Sequence, residues 1–335
     1  MPVLQFIAHQ ISRIDEKQPA KTRYREEALP KNDHLDQLLN ELKTTFATRA
    51  SKRFGVFNED IGSTPITGLL KDYQSQKSSF PRLSIELTKH FIAQLECTPI
   101  IFTGHLVFIE EDCFEFTRLH IFHVYHQSGL VINSELEVEE TEYTDTSRLG
   151  FSGHVNLTAW QQGESEKYLS IAPARGDADL QDLFCKFMGF SDTVNITEDT
   201  QEILEIVTDY SASLPEKDAK ECKTRVVEYC LEQDKVGEPV ALDALSDQMD
   251  FEHESRFIDY VRQNQSKERD DFIPDRRILK KYLKFSGRSK SMSISFDSNA
   301  LGADVIYDSN TRTLTLTNLP KSLLQQLEHA LDDES

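Results

Sequence analysis

The pattern of apolar and polar positions changes from strand-like to helix-like within the N-terminal third of the chain. Residues 3–12, VLQFIAHQIS, carry the alternating, β-branched pattern of a strand. Leucines and a phenylalanine from residue 35 to residue 46 then recur at helical spacing, which predicts an amphipathic helix with Asn32 or Asp33 as its N-cap. A second helix is predicted over residues 83–95, where apolar residues lie four apart.

A β region follows from residue 100 to residue 143. Three runs rich in aromatic and β-branched residues are separated by short turn sequences: PIIFTGHLVFIEE, CFEFTRLHIFHVYH and GLVINSELEVEETEY. They predict an antiparallel meander, which HVNLTAW and KYLSIAP are expected to continue. No Gly-rich strand-to-helix repeat occurs, which argues against a parallel doubly wound sheet.

Helical periodicity returns after residue 177, and the first of these helices is expected to end at Gly189. Near the C-terminus, RRILKKYLKFSG predicts a cationic helix that ends at Gly287, followed by three strands and a last helix. The pattern therefore predicts an α+β protein with a mixed antiparallel sheet, an acidic helical middle segment and a small α-β-β-β-α C-terminal unit. We expect domains at residues 1–175, 176–270 and 271–335.

Charge is spread unevenly along the chain, which has 37 basic and 57 acidic side chains and a net charge of −20. Residues 271–335 are neutral overall, with nine charges of each sign. Within them, residues 276–290 carry seven basic side chains and no acidic one. We call these seven the basic island: Arg276, Arg277, Lys280, Lys281, Lys284, Arg288 and Lys290.

Two interpretations of the basic island are equally supported by charge alone. The cations can neutralise nucleic-acid phosphates, and binding would then weaken steeply with salt. They can also pair with the acidic body of the same protein. The acidic run from Ser134 to Asp145 is open in the same way, because it suits either a solvated strand edge or a docking surface for a basic protein.

Nothing in the sequence argues for an enzyme. Walker A, dinucleotide-binding, HExxH, CxxC and kinase motifs are all missing from the sequence. The segment GFSGH, residues 150–154, lacks the spacing of a nucleophile elbow and predicts a turn. His120, His123 and His126 have no second ligand pair nearby, so we expect packed or solvated histidines, with no metal and no cofactor.

One weaker anion site and the cellular compartment are also suggested by the sequence. Arg175 could bind a phosphate at the start of a helix, but Asp177 and Asp179 occupy the capping positions and would repel it. Five cysteines without a CxxC pair indicate a reducing, cytosolic compartment. No apolar run approaches the roughly 18 residues of a membrane helix, and the N-terminus lacks signal-peptide features.

The C-terminal sequence resembles that of the bacterial nucleoid-associated proteins of the NdpA or YejK-like family. The resemblance lies in FIPDRRILKKYLKFSG and SISFDSNALGADVIYDSNTRTLTLTNLP, with further matches in IAHQISRIDEK and YLSIAPARGDADLQDLFCKFMGFSD. The chain has RSKS where the family has a glycine-rich run after Phe-Ser-Gly, which adds charge at that point.

The resemblance implies a cytoplasmic, nucleoid-associated protein that binds nucleic acid and is not an enzyme. It also implies a connection with type II topoisomerases. It supplies no binding residues, so the basic island is assigned from charge and spacing alone. Our leading hypothesis is contact with double-stranded DNA with little sequence specificity, since no sequence-reading motif is present. The alternative is an acidic adaptor that docks basic chromosomal proteins and associates with DNA indirectly.

Overall fold

The computed structural model describes residues 3–49, 51–58, 65–163, 165–174, 176–236, 239–249, 256–297 and 300–332. The chain divides into two compact units. The first unit comprises Met1–Ile196 and Lys235–Gly237, and the second comprises Thr197–Asp234 and Glu238–Ser335. The α+β class expected from the sequence is confirmed, because a large antiparallel sheet and several small sheets alternate with helices.

The first unit is built on one eight-stranded antiparallel sheet with the order β2-β1-β4-β5-β6-β7-β3-β8. Strands β4, β5 and β6 follow one another in sequence and in space, which confirms the predicted meander. The elements of this unit are β1 (Val3–Arg13), β2 (Lys21–Arg23), α1 (Asp33–Ala47), β3 (Arg53–Phe57), α2 (Pro65–Gln74), α3 (Phe80–Leu95), β4 (Phe102–Asp112), β5 (Thr117–Ile132), β6 (Val138–Asn156), α4 (Leu157–Gln162), β7 (Leu169–Ala172), α5 (Ala178–Met188) and β8 (Phe190–Asp192).

Both faces of the sheet are covered by helices, which explains the continuous apolar run in β4. Leu106 and Phe108 point into a core shared with α2, α3 and α5. Val107 and Ile109 point the other way, into a smaller core shared with α1. Successive side chains of a strand alternate between faces, so a strand buried on both faces is apolar at every position.

Local capping contacts set the ends of two predicted helices. The Asn32 side chain accepts a hydrogen bond from the Leu35 amide at 3.2 Å, so Asn32 is the N-cap of α1. Gly189 ends α5 with a left-handed backbone, at φ 56°. Both features agree with the sequence-based prediction.

Two other local predictions are wrong. The LTAW segment forms α4 rather than a strand, because Asn156 caps the new helix by accepting a hydrogen bond from the Ala159 amide at 2.9 Å. The GFSGH segment lies inside β6 and not in a turn. Its Gly153 leaves room for Phe184 and Met188 of α5 to approach the sheet closely, which a side chain would prevent.

Strands β5 and β6 extend beyond the sheet as a two-stranded ribbon. Pairing between β4 and β5 reaches Val124, and residues 127–132 then pair with residues 138–143 of β6. We call residues 127–145 the acidic ribbon, because they carry six carboxylates and no Lys or Arg. The acidic run expected at a strand edge or loop is therefore a paired hairpin, and most of its side chains are exposed.

The second unit has a helical core followed by small hairpins. Its elements are α6 (Ile196–Ala212), α7 (Glu216–Val236), β9 (Val240–Ala241), α8 (Leu242–Asp247), α9 (Phe257–Asn264), β10 (Asp271–Phe272), α10 (Arg276–Tyr282), β11 (Lys284–Arg288), β12 (Ser293–Asp297), β13 (Val305–Asp308), β14 (Thr313–Leu316) and α11 (Lys321–Asp332). The apolar core joins α6 to α10 and includes Cys222, Val226 and Phe257.

The predicted cationic helix is shorter than expected. Helix α10 ends at Tyr282, and Lys284–Arg288 forms strand β11, paired with β12. Gly287 therefore lies opposite Ile294 within a hairpin and does not end the helix. The three strands predicted after the island are present as β12, β13 and β14, and β11 precedes them.

Candidate nucleic-acid interface

The basic island begins in the first turn of α10, which the buried carboxylate of Asp275 caps. Asp275 is the N-cap of α10, and its Oδ1 accepts a hydrogen bond from the Arg277 amide at 2.8 Å. Its Oδ2 accepts one from the Thr197 hydroxyl at 2.8 Å, and its own amide donates to Thr200 Oγ1 at 2.8 Å. These contacts hold the first turn of α10 against α6 in a defined orientation.

Two members of the island are engaged within the second unit. Arg277 Nη2 lies 3.1 Å from Asp275 Oδ2, and Arg276 Nη1 lies 3.8 Å from Oδ2 of the buried Asp234. Burial alone would raise the pKa of the Asp275 carboxyl, but hydrogen bonds from Arg277 and Thr197 hold that pKa below its ordinary value. Internal pairing, one of the two interpretations of the island, therefore applies to its first two residues.

The rest of the island faces solvent. Lys284 Nζ lies 4.0 Å from Asp297 Oδ1 across the hairpin, at the limit of an ion pair between two exposed groups. Four cations are exposed and form no ion pair within the residues that the structure describes: Lys280, Lys281, Arg288 and Lys290. The structure thus divides the island into an anchoring pair and a solvent-facing set on α10 and the β11–β12 hairpin.

The β11–β12 hairpin has one polar face and one apolar face. The residues paired across it share a face, so Lys284, Ser286 and Arg288 lie together with Asp297, Ser295 and Ser293. The other face carries Phe285 opposite Phe296, with ring centroids 5.5 Å apart, and Gly287 opposite Ile294. The cations of β11 are therefore displayed on a single side.

Sequence reasoning missed a buried polar chain in the first unit. Lys43 Nζ donates to Glu111 Oε1 at 2.7 Å, and His120 Nε2 donates to Glu111 Oε2 at 2.8 Å. His120 Nδ1 lies 2.5 Å from Nδ1 of His154 and accepts a hydrogen bond from it, since the other ring nitrogen of the neutral His120 carries the hydrogen that is donated to Glu111. No spacing motif could reveal this chain, because its members come from four different elements: α1, β4, β5 and β6.

Burial and hydrogen bonds together set the ionisation of Glu111, His120 and His154 in this buried polar chain. Burial lowers the pKa of His120 to about 4 in spite of the Glu111 carboxylate beside it. Burial lowers the pKa of His154 well below its ordinary value. Burial alone would raise the pKa of Glu111, but hydrogen bonds from His120 and Lys43 bring it down to about 2. The chain consequently holds an ionised Glu111 carboxylate and two neutral imidazoles at neutral pH.

His123 belongs to a separate environment on β5. Its ring stacks on Phe102 at 4.1 Å between centroids, and Nε2 donates to the Thr103 carbonyl oxygen at 2.9 Å. A Cβ at Gly150 would lie 1.9 Å from Nδ1 of this ring, and a Cβ at Gly104 would lie 2.7 Å from Nε2. The imidazole therefore occupies the space that two missing side chains leave, and burial lowers its pKa to about 4.

The weaker anion site of the sequence analysis lies partly outside the described residues, since Arg175 is among those not described. Asp177 serves as the N-cap of α5, with its Oδ1 accepting from the Leu180 amide at 2.9 Å. A cleft of about 520 Å³ next to it is lined in part by Arg49, Tyr125 and Arg148. The Asp177 carboxylate, which would repel a phosphate, is also among the residues that line this cleft.

The described part of the chain also bears on metal sites, cysteines and membrane-spanning helices as possible functional features. No group of three or more His, Cys, Asp or Glu side chains there could hold a metal ion. The five cysteines are free thiols. Among the described helices, none is both long and apolar enough to cross a bilayer.

The chain is similar over almost its full length to proteins named as nucleoid-associated. One from Pseudomonas putida strain GB-1 is 29% identical over 337 residues, covering 99% of this chain and 100% of the relative. One from Pseudomonas entomophila strain L48 has the same identity and coverage. One from Metapseudomonas resinovorans is 28% identical and covers 98% of this chain and 99% of the relative.

These relatives indicate the class of protein, the nucleoid-associated proteins, and a family profile identifies the family within that class. The profile described as nucleoid-associated protein YejK matches residues 7–324. The chain therefore belongs to the family of the nucleoid-associated protein YejK, and the resemblance noted in its sequence is confirmed. A nucleoid-associated role follows from this membership.

Proposed function

We propose that this protein is a non-enzymatic component of the bacterial nucleoid in the cytoplasm, and that it binds double-stranded DNA with little sequence specificity through the basic island. Family membership supports the nucleoid role. The observation that carries the proposed site is the set of exposed cations on α10 and the β11–β12 hairpin that form no ion pair with any described residue, within a protein whose net charge is −20.

The physical basis is counterion release. Each phosphate that a cation neutralises releases condensed counterions, so log K falls by about 0.9 per contact for each unit of log salt. Contacts of this kind carry no sequence information. The two anchored arginines orient α10, and the solvent-facing cations supply the charge.

The test compares the salt dependence of DNA binding for two matched triple variants. Lys280→Gln/Lys281→Gln/Arg288→Gln removes three solvent-facing cations of the island. Lys17→Gln/Lys21→Gln/Lys31→Gln is the control, because it removes three exposed cations of the first unit. Binding of a random-sequence duplex is measured by fluorescence anisotropy at several salt concentrations.

We expect the island variant to lose up to about 3 units of the log–log salt slope. The control variant should keep the wild-type slope. An island variant with an unchanged slope, or equal losses in both variants, would remove the island as the DNA site.

A second candidate function is an acidic adaptor that docks basic chromosomal proteins such as type II topoisomerase subunits. The acidic ribbon favours it, because its five exposed carboxylates, with no Lys or Arg among them, attract a basic surface and repel DNA. Exposed Leu130 and Ile132 on the same ribbon add apolar contact area. In this case association with DNA is indirect.

Purified topoisomerase subunits and naked DNA separate the two candidates. If the adaptor function is correct, wild-type protein binds the subunits but not naked DNA at low salt. Glu139→Gln/Glu140→Gln/Glu142→Gln in the ribbon should then weaken subunit binding. Glu205→Gln/Glu228→Gln/Glu232→Gln, at exposed positions of α6 and α7, is the matched control and should not. Equal binding by both variants would exclude the ribbon as the docking surface.

A further inference from the structure

The outer edge of strand β6 in the acidic ribbon pairs with no other strand in the described part of the chain. Strand β7 pairs only with residues 152–155 of β6, near its C-terminal end. Residues 138–143 are bonded to β5 on one side and are open on the other, and their side chains are all exposed. An edge of this kind presents a row of unpaired N–H and C=O groups to which another strand can add.

The turn of the ribbon determines which backbone groups face outward. The Asn133 amide donates to the Glu137 carbonyl oxygen at 3.0 Å, so these two residues form a hydrogen-bonded pair. Such pairs alternate along an antiparallel ladder with pairs whose N–H and C=O groups point away from each other. The register runs through the ribbon without a shift, so the outward-facing groups of β6 belong to Val138, Glu140 and Glu142.

The same residues share one face of the ribbon with exposed apolar side chains. The register places Leu130 beside Glu140 and Ile132 beside Val138. Leu130 is 78% exposed, Ile132 67% and Val138 65%. Charge alone would protect an open edge from unwanted pairing, but apolar side chains grouped beside that edge indicate a partner that covers them.

The carboxylates of β6 determine which strand can occupy this edge. Glu139, Glu140 and Glu142 lie close together on it, and the ribbon contains no Lys or Arg. Opposite charges directly across two neighbouring strands stabilise the pairing, and like charges destabilise it. A second copy of β6 or the phosphates of DNA would bring negative charge against these glutamates. A strand that carries Lys or Arg among apolar residues instead pairs with the glutamates and covers Val138.

We propose that the outer edge of β6 binds an extended basic segment of a partner protein, which adds to the acidic ribbon as a third strand. In strand addition the main-chain hydrogen bonds supply affinity and the alternate side chains supply specificity. The third strand also gives a two-stranded ribbon the pairing it needs for greater stability. This inference deepens the adaptor function, the second candidate above, and rests on it for the identity of the partner.

The test uses the full chain and a peptide of about ten alternating lysine and valine residues, blocked at both ends. Amide hydrogen exchange is followed residue by residue by NMR. The peptide should slow exchange at Glu140 and Glu142, whose amides face outward, and should change Glu139 and Thr141 little, because their amides are already bonded within the ribbon. Attraction by charge alone would not produce this alternation, since it does not depend on the direction of an amide.

Two substitutions at one position separate the backbone from the charge. Glu140→Gln removes the carboxylate and keeps the amide, so it should weaken peptide binding about twofold to fivefold, as the loss of one exposed ion pair does. Glu140→Pro removes both the carboxylate and the outward N–H. It should weaken binding about threefold to tenfold beyond the glutamine variant, as the loss of one hydrogen bond does.

The matched control is Ser128→Pro, which removes an outward N–H from the opposite edge of the ribbon, on β5. An edge position whose N–H faces solvent tolerates proline, so both proline variants keep the ribbon. Ser128→Pro should bind the peptide as the wild type does. Equal binding by Glu140→Gln and Glu140→Pro, or equal losses in the two proline variants, would overturn the proposal.

The same measurements distinguish failure of this inference from failure of the adaptor function. If the peptide protects the Glu140 and Glu142 amides but topoisomerase subunits do not bind, the edge site is supported and the adaptor function fails. If the subunits bind without changing exchange at these two amides, the edge site is excluded and the adaptor function stands. Absence of peptide binding at low salt also excludes the edge site. Protection that rises with protein concentration alone would show that a second copy occupies the edge, which contradicts the proposal.

Discussion

The acidic ribbon and the β11–β12 hairpin are the same kind of element placed in two different settings. Each is a two-stranded antiparallel ribbon with charge of mainly one sign and with exposed apolar side chains. The ribbon continues into strands that are buried on both faces of an eight-stranded sheet. Within the described residues, the hairpin follows directly on the short helix α10 and does not extend a larger sheet.

The difference shows where the stability of each element comes from. The ribbon is held by core residues such as Phe122 at its base, so its own exposed residues can vary freely. The hairpin has no such base among the described residues, and Phe285 on its apolar face is half-exposed. Charged residues on the ribbon therefore do not lower its stability, whereas on the hairpin charged and apolar residues occupy the same short element.

The largest expected effect that separates the two regions is the loss of a phenylalanine. Phe122→Ala should lower the unfolding free energy of the first unit by about 3–5 kcal/mol, because it empties a buried site. Phe285→Ala should change the unfolding free energy of the first unit by no more than about 0.5 kcal/mol. Denaturant titration followed by the fluorescence of Trp160, the only tryptophan and a neighbour of the first core, measures this directly. Similar losses in the two variants would contradict the comparison.

Acid should weaken the sheet at the base of the ribbon before it affects the hairpin. The pKa of His123 is about 4 in the folded protein, below its ordinary value near 6.5. Between those values the unfolded chain binds more protons, so stability falls as the pH drops through 6.5. The loss for one such histidine approaches roughly 1.4 kcal/mol per pH unit.

His123→Phe tests this dependence, because it removes the titrating group from its stacked position. Trp160-detected unfolding of this variant between pH 7 and pH 4.5 should show a slope reduced by about 1 kcal/mol per pH unit. His34→Gln, at an exposed position of α1, should retain the wild-type slope. If the two variants have the same slope, His123 does not supply the acid sensitivity.

The smallest loss of stability is expected at Asp275, where the basic island meets the apolar core of the second unit. Asp275→Ala removes the N-cap of α10 and the carboxylate that pairs with Arg277, and should destabilise the helix by about 1–2 kcal/mol. Asp275→Asn keeps an acceptor for the cap and should recover part of the loss. Amide exchange within α10 reports both changes, and equal exchange in the wild type and Asp275→Ala would show that the cap is dispensable.

Local sequence patterns predicted most of the elements in this fold. The leucine spacing of α1 with Asn32 before it, and Gly189 after α5, depend on contacts within a few residues. The sequence predicts a helix that continues to Gly287, because Leu279, Tyr282 and Leu283 follow a helical period. Residues 284–288 instead form a strand because they pair with residues 293–297, and local periodicity does not show such pairing.

The candidate site was predictable in outline but not in detail. Charge counting found all seven cations of the island. Only the structure separates Arg276 and Arg277 from the rest, because their partner carboxylates Asp234 and Asp275 are buried by tertiary packing. The Glu111–His120–His154 chain was missed for the same reason, since the two histidines are 34 residues apart in sequence.

The packing of His123 between two glycines restricts how this sequence can drift. Gly104 has φ +133°, and a side chain at Gly150 would overlap the imidazole outright. A side chain at position 104 or 150 therefore requires a different residue at position 123 first, because the imidazole of His123 fills that space. Among relatives that are 29% identical to this chain, a residue other than glycine at position 104 or 150 should be accompanied by a residue other than histidine at position 123.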